Sequence, residues 1–570
     1  MVAMYIERIP NRQSPPAILL REAWREHGRV RKRTVANLSA WPPPRIEALR
    51  RVLRDEPLVR ADELFTIDTS LPHGHVEAIL GMVRHLGLDL VLATKRSRVR
   101  DLVLAMIVER LIHPCSKLAT TRLWSTTTLG DTLGVAAADV DELYDALDWL
   151  LARQPHIEQK LAARHLREGG VVLYDVSSSY YEGRTCPLAR FGHDRDGKTG
   201  LPIIVYGVMT DAAGRPVATE VYAGNVGDPK TVPDQVETLR ERFGVSHVVL
   251  VGDRGLLTQT QIDHLKTYPG LGWISALRSP AIRKLVESGA LQLSLFDQQH
   301  LAEITSPTYP GERLIACFNP LLADERRRKR EALLAATEQE LAKLAHAAAR
   351  RTRTPLDDAT LGQKVGRVIN HYKMAKHFVV TIRGGRLSWT RRPESLQPEA
   401  QLDGFYVIRT SVAAEHSSAA DVVRYYKGLA RVERAFRCLK GIDLRVRPIH
   451  HRTADHVRAH IFLCVLAYYV EWHLRQAWAP LLFADETLDA DRQTRDPVAP
   501  ATPSPAARRK KVERQTADGL PLHSFDTLLA TLATRCAHTC RLRSDPAGAP
   551  LRQLTPPSPL QARALALLGL

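Results

Sequence analysis

The stretch DVVRYYKGLARVERAFRCLK, residues 421–440, carries the pattern from which the rest of the chain can be interpreted. Its apolar side chains recur at helical spacing and form one stripe of an amphipathic helix: Val422, Tyr426, Leu429, Val432, Phe436 and Leu439. At about 100° per residue, Glu433 falls inside that stripe, and Lys440 follows on nearly the same side. A carboxylate directed into a core is costly unless it is paired or binds a metal. The helix alone leaves two explanations open, an ion pair of Glu433 with Arg437 or Lys440, and a functional carboxylate.

Two upstream segments also end in an unexpected carboxylate. Asp175 directly follows the apolar run 171–174, and Asp253 follows the apolar run 247–251. Both runs are rich in β-branched residues and are predicted to be buried strands, in which aspartate is disfavoured. Two aspartates at strand ends and Glu433 on a core-facing helix suggest three carboxylates that converge. Because like charges repel, such a group usually holds hard divalent cations, and two ions can clamp the attacking and leaving oxygens of a phosphodiester.

The order of the predicted elements favours one α/β fold. A meander of three strands (171–174, 202–210 and 217–222) precedes a helix at 233–243. The Asp253 strand, a helix at 258–266 and a strand at 272–278 follow. This is the plan of a ribonuclease-H-like catalytic core. We expect that core to contain a mixed α+β insertion and to follow a mostly helical N-terminal region.

Three sequence blocks resemble the signature blocks of a known family. They are LYDVSSSYYEG around Asp175, VGDRGLLT around Asp253 and YKGLARVERAFRCLKGIDLRVRPIHHR around Glu433. They are similar to the blocks of insertion-sequence DDE transposases of the IS-four superfamily, in the branch with a long N-terminal region and a β-rich insert. The resemblance runs from REAWREHGRVRKRTVANLSAWP, residues 21–42, to about His473. The chain departs from the family at Leu429, where the pattern has arginine, and Arg431 is the candidate substitute.

The resemblance implies a metal-dependent enzyme that cuts DNA at transposon ends and joins the ends to target DNA by a cut-and-paste route. Asp175, Asp253 and Glu433 would be both the catalytic residues and the metal ligands, with two Mg²⁺ ions or, alternatively, Mn²⁺. Water would release a 3′-hydroxyl, which would then attack the target. Expected DNA contacts come from basic residues near the carboxylates: Arg254, Arg431, Arg437, Lys440, Arg445 and Arg447. Expected partners are double-stranded DNA, as inverted-repeat ends and as target, and a second copy in a homodimer.

Three alternatives stay open at this point. Asp228, in the segment AGNVGDPKT, is a rival third carboxylate, although turn chemistry explains that segment more simply. The chain could be a decayed transposase that only binds DNA, against which the intact set of carboxylates argues. It could also be a metal-dependent nuclease that cuts without joining.

Composition agrees with a nucleic-acid partner. The 570 residues carry a formal net charge of +18, and 44% of them are hydrophobic, which is enough for several packed cores. Seven scattered cysteines argue against a disulfide framework, and Cys536-Ala-His538-Thr-Cys540 is at most half of a metal site. With no apolar run of membrane length and no signal peptide, we expect a cytoplasmic protein without a membrane partner, associated with the bacterial nucleoid when bound to DNA.

Six segments are predicted along the chain. They are an N-terminal hairpin and basic arm (1–55), a helical DNA-binding region (60–168), the first part of the core (170–280), an insertion (281–402), the rest of the core with the Glu433 helix (403–475), and a flexible linker with a C-terminal tail (484–570).

Overall fold

The computed structural model describes residues 3–12, 14–56, 64–297, 299–351, 353–354, 356–499, 502–543 and 545–570. The chain divides into two compact units, Met1–Leu71 with Cys536–Pro556, and Pro72–Arg535 with Pro557–Leu570. The strands are β1 (Ala3–Ile9), β2 (Ala17–Glu26), β3 (Arg29–Asn37), β4 (Phe65–Pro72), β5 (Gly170–Tyr180), β6 (Ile203–Asp211), β7 (Pro216–Ala223), β8 (Val248–Val251), β9 (Leu271–Ala276), β10 (Leu301–Ile304), β11 (Arg313–Phe318), β12 (Phe378–Arg383), β13 (Arg386–Arg391), β14 (Phe405–Thr410), β15 (Cys536–Leu542) and β16 (Leu551–Leu554).

The helices of the N-terminal and core regions are α1 (Pro43–Val52), α2 (Gly74–His85), α3 (Leu88–Leu92), α4 (Arg98–Ile112), α5 (Lys117–Leu123), α6 (Leu129–Leu133), α7 (Val140–His165), α8 (Val232–Glu237), α9 (Gln259–Leu265) and α10 (Ser279–Glu287). Those that follow are α11 (Pro320–Ala349), α12 (Asp358–Tyr372), α13 (Pro393–Gln401), α14 (Ala419–Lys427), α15 (Leu429–Lys440), α16 (Ala454–Ala477), α17 (Leu488–Thr494), α18 (Pro505–Glu513), α19 (Phe525–Ala533) and α20 (Pro559–Ala566). No helix in the described part of the chain is long and apolar enough to cross a membrane.

The first unit contains two three-stranded sheets, ordered β1-β2-β3 and β16-β15-β4. The predicted basic arm lies on β3, which is exposed along almost its whole length. Part of its charge is neutralised inside the sheet, because Arg33 pairs with Glu22 at 2.6 Å and Lys32 with Glu7 at 3.6 Å. Contact of this strand with DNA stays a prediction.

The helical part of the second unit forms a bundle around α4, which is buried from Arg100 to Leu111. The N-cap Ser97 accepts a hydrogen bond from the Arg100 N–H at the start of α4. Because α4 lies inside the bundle, it is a core helix rather than a DNA-reading one. The predicted start of this region, residue 60, falls among residues 57–63 and lies outside the described residues.

The predicted ribonuclease-H-like order is confirmed in the eight-stranded sheet of the second unit. Its strand order is β10-β11-β14-β9-β8-β5-β6-β7. β5, β6 and β7 are antiparallel neighbours, and β8 and β9 continue the sheet parallel to β5. β10, β11 and β14 extend the sheet beyond β9, since β14 pairs antiparallel with β9. Part of the predicted insertion therefore enlarges the core sheet, while α11, α12, α13 and the β12-β13 hairpin belong to the rest of it.

The predictions of one continuous helix at 421–440 and of a flexible linker are wrong. The stretch 421–440 forms two helices, α14 and α15, which meet at Gly428 rather than running on as one. A side chain at Gly428 would approach the Tyr425 carbonyl oxygen to 2.8 Å and Leu173 to 3.5 Å, so glycine allows α15 to lie close on β5. The flexible linker predicted at the start of 484–570 contains α17 and α18, and the Val498 carbonyl accepts hydrogen bonds from Asn319 and Lys427.

Candidate active site

Asp175 and Asp253 lie side by side because β5 and β8 are parallel neighbours. The last paired residues of the two strands are Leu173 and Val251, and each aspartate lies two positions beyond its strand's pair. Neighbouring strands lie about 4.8 Å apart, so the two aspartates emerge at the same level of the sheet. The prediction that Asp175 ends its strand is wrong. β5 continues to Tyr180 because antiparallel pairing with β6 extends that far, with Asp175 opposite Val208.

Backbone hydrogen bonds orient both aspartates. The half-buried Asp175 accepts the Val176 N–H through Oδ1 at 2.8 Å. In the exposed loop after β8, Asp253 Oδ1 accepts the N–H groups of Gly255 at 2.9 Å and Leu256 at 2.7 Å. Among the described residues, no hydrogen bond is made to the second oxygen of either carboxylate.

Glu433 comes from α15, whose apolar side packs on β5. Val432, Phe436 and other neighbours on that side are buried, and the Phe436 ring lies 5.8 Å from that of Tyr206. Glu433 itself is exposed, so the prediction of a core-facing carboxylate is wrong in this detail. Among the described residues it has no ion pair, and the alternative of a pair with Arg437 or Lys440 is not observed.

Electrostatic coupling shows that the three carboxylates share one region. Burial raises the pKa of Asp175 to about 7, and the negative charges of Asp253 and Glu433 add to that rise. The Val176 N–H and the Arg195 guanidinium oppose it. A partly buried carboxylate near two others favours the neutral form unless a cation joins them.

Tyr426, on α14, faces the same region. Burial raises the pKa of its hydroxyl to about 12. Four charged neighbours also act on that hydroxyl: Asp253, Glu433 and Asp175 raise its pKa, and Arg254 lowers it. Tyr426 and Glu433, both from the third sequence block, therefore lie near Asp175 and Asp253, although α14 and α15 are separate helices.

The three carboxylates do not form a tight cluster. Across the described residues, one group of three potential ligand atoms lies mutually within 4.8 Å, and it is Cys438, Asp443 and Glu471. Asp175, Asp253 and Glu433 do not meet this distance criterion. The Cys536 to Cys540 motif lies along β15 and does not form such a group either.

Lys440 is bound to a residue that the sequence interpretation missed. Its ammonium donates to Ser177 Oγ at 2.9 Å and pairs with Asp196 Oδ1 at 2.8 Å. Asp196 also pairs with Arg447 and accepts the Tyr180 N–H at 3.1 Å, and only 1% of its side chain is exposed. Lys440 therefore neutralises Asp196 and not Glu433. Because Ser177 follows Asp175 by two positions on β5, the Lys440 ammonium lies on the same face of the sheet as the Asp175 carboxylate.

Arg195 is a second missed residue, in the loop between β5 and β6. It forms an ion pair with Asp228, the rival third carboxylate, and its charge lowers the pKa of Asp175. Asp228 is thus engaged by an arginine, whereas Glu433 is not. Nothing in the polar segment 193–196 distinguishes Arg195 from a loop residue, since its position depends on the way the loop folds back over β5.

The other predicted DNA-contacting residues fall into two groups. Arg254, Arg437 and Arg445 are exposed and, within the described ranges, belong to no ion pair. Arg431 instead donates to the Ala212 carbonyl and pairs with Asp489 at 2.6 Å. Its guanidinium therefore holds α15 to neighbouring segments and is not directed to the carboxylates.

Comparison with known proteins gives two family matches. Residues 187–470 match the transposase DDE domain, and residues 6–61 match the N-terminal domain of IS1634 family transposases. The first match includes Asp253 and Glu433 and begins after Asp175. No curated protein matches the chain. The solved structures similar to it include a cryo-EM piggyBac transposase synaptic complex with hairpin DNA, at 11% identity and a TM-score of 0.31, covering 80% of this chain and 77% of that one.

The two family matches together span more than half of the chain, and both describe transposases. The sheet order and the pair of aspartates at the β5–β8 edge agree with a DDE catalytic domain. The chain therefore belongs to the insertion-sequence DDE transposases, enzymes that cut DNA and transfer its strands.

Proposed function

We propose that this transposase, a member of the IS-four superfamily, cuts at the inverted-repeat ends of its element and joins them to target DNA, with Asp175, Asp253 and Glu433 as its metal-binding catalytic residues. One observation carries the proposal. The charges of Asp253 and Glu433 act on Asp175, and in the described structure none of the three carboxylates has an ion-pair partner. Three acids in one region, none of them held in an ion pair, are suited to divalent metal.

The chemistry of the donors fits Mg²⁺, with Mn²⁺ as the alternative. All three ligands offer only oxygen, which these hard ions prefer. Two such ions are what the resemblance of the three sequence blocks implies. When bound, the ions supply Lewis-acid stabilisation of the attacking and leaving oxygens of the phosphodiester.

The protein's own groups would position the DNA strand. Lys440 uses two of its three ammonium hydrogens on Ser177 and Asp196, and 12% of its side chain is exposed. The third hydrogen is available for a phosphate oxygen beside Asp175. Arg447, 31% exposed, lies next to it and shares Asp196. These two cations would hold the backbone along β5, so that the scissile phosphate lies over the carboxylates.

Further cations extend this path on both sides. Arg254 and Arg437 are exposed near Asp253 and Glu433. At the start of α11, Arg326 lies close enough to Arg254 for their charges to interact, and the neighbouring Arg328 and Lys329 are exposed. With a net charge of +18, the surface favours a long DNA contact, and two ends brought together would require a homodimer bound to the nucleoid DNA.

The experiment uses duplexes that carry the terminal inverted repeat found beside the gene. Wild-type protein with Mg²⁺ should nick these duplexes and join a pre-cut end with a free 3′-hydroxyl to a target plasmid. Asp175→Asn, Asp253→Asn and Glu433→Gln should each reduce cleavage at least about 10³-fold and change end binding less than about threefold, because affinity comes mainly from phosphate contacts.

Glu394→Gln is the matched control, an exposed acid on α13 that should cleave like the wild type. Cleavage without joining by the wild-type protein would identify it as a nuclease. Binding of the ends without cleavage would identify it as a decayed transposase. Near wild-type cleavage by any one of the three variants would remove that residue from the site.

A further inference from the structure

A second cluster of potential metal-ligating side chains lies where α15 packs against α16. Cys438 is near the end of α15, Asp443 is in the turn that follows, and Glu471 is on α16. One ligand atom from each lies within 4.8 Å of the other two. Cys438 and Glu471 are buried, and Asp443 is 19% exposed. None of these residues has a part in the DNA chemistry described above.

One ligand atom in this cluster lacks a partner. Arg475 donates to Glu471 Oε1 at 2.5 Å and to Asp443 Oδ2 at 3.1 Å. Glu471 Oε2 is buried and accepts no hydrogen bond within the described structure, and the Glu471 side chain is completely inaccessible to solvent. An unpaired buried carboxylate oxygen is costly. It belongs to a carboxylate that lies within 4.8 Å of a thiol and a second carboxylate, which makes Glu471 a candidate metal ligand.

Ionisation of the cluster would leave a net negative charge that a divalent cation can balance. With the thiol ionised, Cys438, Asp443 and Glu471 carry three negative charges, and Arg475 supplies one positive charge. A divalent cation would make the group neutral. One sulfur and two carboxylate oxygens suit borderline-soft Zn²⁺ better than Mg²⁺, which prefers oxygen alone. The partly exposed Asp443 provides a route from solvent and a side on which water can complete four-coordination.

We propose that Cys438, Asp443 and Glu471 bind one Zn²⁺ ion, in a site distinct from the catalytic carboxylates. On binding, the Cys438 thiol releases its proton to the solvent, and the thiolate and two carboxylates coordinate the ion. The ion would tie the end of α15 to α16. Glu433 precedes Cys438 by five residues and Lys440 follows it by two, so this tie would hold the helix that carries both.

The competing explanation is an ion cluster without metal, in which Arg475 alone balances the carboxylates and the Cys438 thiol stays protonated. The two explanations differ in a spectroscopic property. A cobalt ion bound by a thiolate has a charge-transfer band in the near ultraviolet, whereas cobalt bound only by carboxylates has none.

The test uses full-length protein stripped with EDTA, in the Asp175→Asn/Asp253→Asn background so that the catalytic site does not compete for the ion. Titration with Co²⁺ should produce the thiolate charge-transfer band and saturate at one bound equivalent. Zn²⁺ should displace the Co²⁺ and remove the band, whereas excess Mg²⁺ should not. Saturating Zn²⁺ should raise the Tm by at least about 3 °C. Cys438→Ser should lose the band and the Zn²⁺-dependent rise in Tm.

Cys464→Ser is the matched control, since Cys464 is also buried but lies elsewhere on α16. This variant should keep the band. If Cys438→Ser does not fold, Asp443→Asn at its partly exposed position decides the question, with an expected loss of Co²⁺ affinity of at least tenfold. A band that persists in Cys438→Ser, no band in the parent protein, or unchanged affinity in Asp443→Asn would overturn the proposal.

Discussion

Removing Asp196 should destabilise the protein more than removing Lys440, although the two residues form one ion pair. Asp196 binds two cations, Lys440 and Arg447, and also accepts the Tyr180 N–H. Asp196→Ala leaves both cations without this carboxylate and the Tyr180 N–H without its acceptor, although Lys440 keeps Ser177 and Arg447 keeps the Lys440 carbonyl. Lys440→Ala leaves Asp196 with Arg447 and with the Tyr180 N–H. The unequal number of partners determines the order of the two effects.

The magnitudes follow from burial. Breaking a buried pair by removing one partner costs about 3–5 kcal/mol, but Lys440 and Arg447 are 12% and 31% exposed, so water compensates part of that cost. We expect a loss in the free energy of unfolding of about 2–4 kcal/mol for Asp196→Ala and about 1–2 kcal/mol for Lys440→Ala. The double variant should show a coupling energy of at least about 1 kcal/mol.

Urea unfolding followed by circular dichroism measures these losses, with Arg437→Ala as control. Arg437 is exposed and, among the residues described, unpaired, so its loss should change stability by less than about 0.5 kcal/mol. Equal losses for Asp196→Ala and Lys440→Ala, or a larger one for Lys440→Ala, would refute the assignment of Asp196 as the shared partner.

The same variants separate the two roles of Lys440. If its third ammonium hydrogen contacts DNA, Lys440→Ala should weaken end binding and reduce the slope of log affinity against log salt by about 1. A stability loss with unchanged salt dependence would leave Lys440 only its role in neutralising Asp196.

Three more outcomes are expected. Lys117 is buried, and burial lowers its pKa from 10.5 to about 7, so between these pH values the unfolded chain binds more protons than the folded one. The free energy of unfolding should therefore rise by up to roughly 4 kcal/mol from pH 7 to pH 10.5. Urea unfolding measures this rise, and Lys117→Met should abolish it. Gly428→Ala would place a methyl group against the Tyr425 carbonyl, so the free energy of unfolding should fall by about 1–3 kcal/mol and cleavage should decrease because α15 is displaced. Stability and cleavage equal to those of the wild type would show that α14 and α15 can move apart freely. Arg254→Ala should reduce the slope of log affinity for DNA against log salt by about 1. Arg431→Ala should leave that slope unchanged, because the Arg431 guanidinium is already paired with Asp489. Equal effects of the two variants in a filter-binding assay would mean that Arg431 contacts DNA.

Sequence alone supplied the elements that depend on local pattern. Apolar runs bounded by polar residues predicted the strands of the core, and the order of those strands predicted the ribonuclease-H-like sheet that the structure contains. Asp175, Asp253 and Glu433 stood out because each is a carboxylate at or next to a position where the apolar pattern predicts an apolar residue. Their roles in catalysis are a proposal. The strand register places Asp175 beside Asp253, and the charge of Glu433, on α15, acts on Asp175.

Tertiary structure was needed wherever a partner comes from a distant part of the chain. Whether Lys440 pairs with Glu433 or with Asp196 depends on how the loop after β5 folds back, and helical spacing carries no information about that loop. Arg431 is chemically indistinguishable from Arg254 in the sequence, yet one is held by Asp489 and the other is exposed. The cluster of Cys438, Asp443 and Glu471 likewise exists only because α15 and α16 pack together. Periodicity reports which side of an element is apolar, whereas the pairing of charges depends on long-range packing that brings separate segments within a few ångströms.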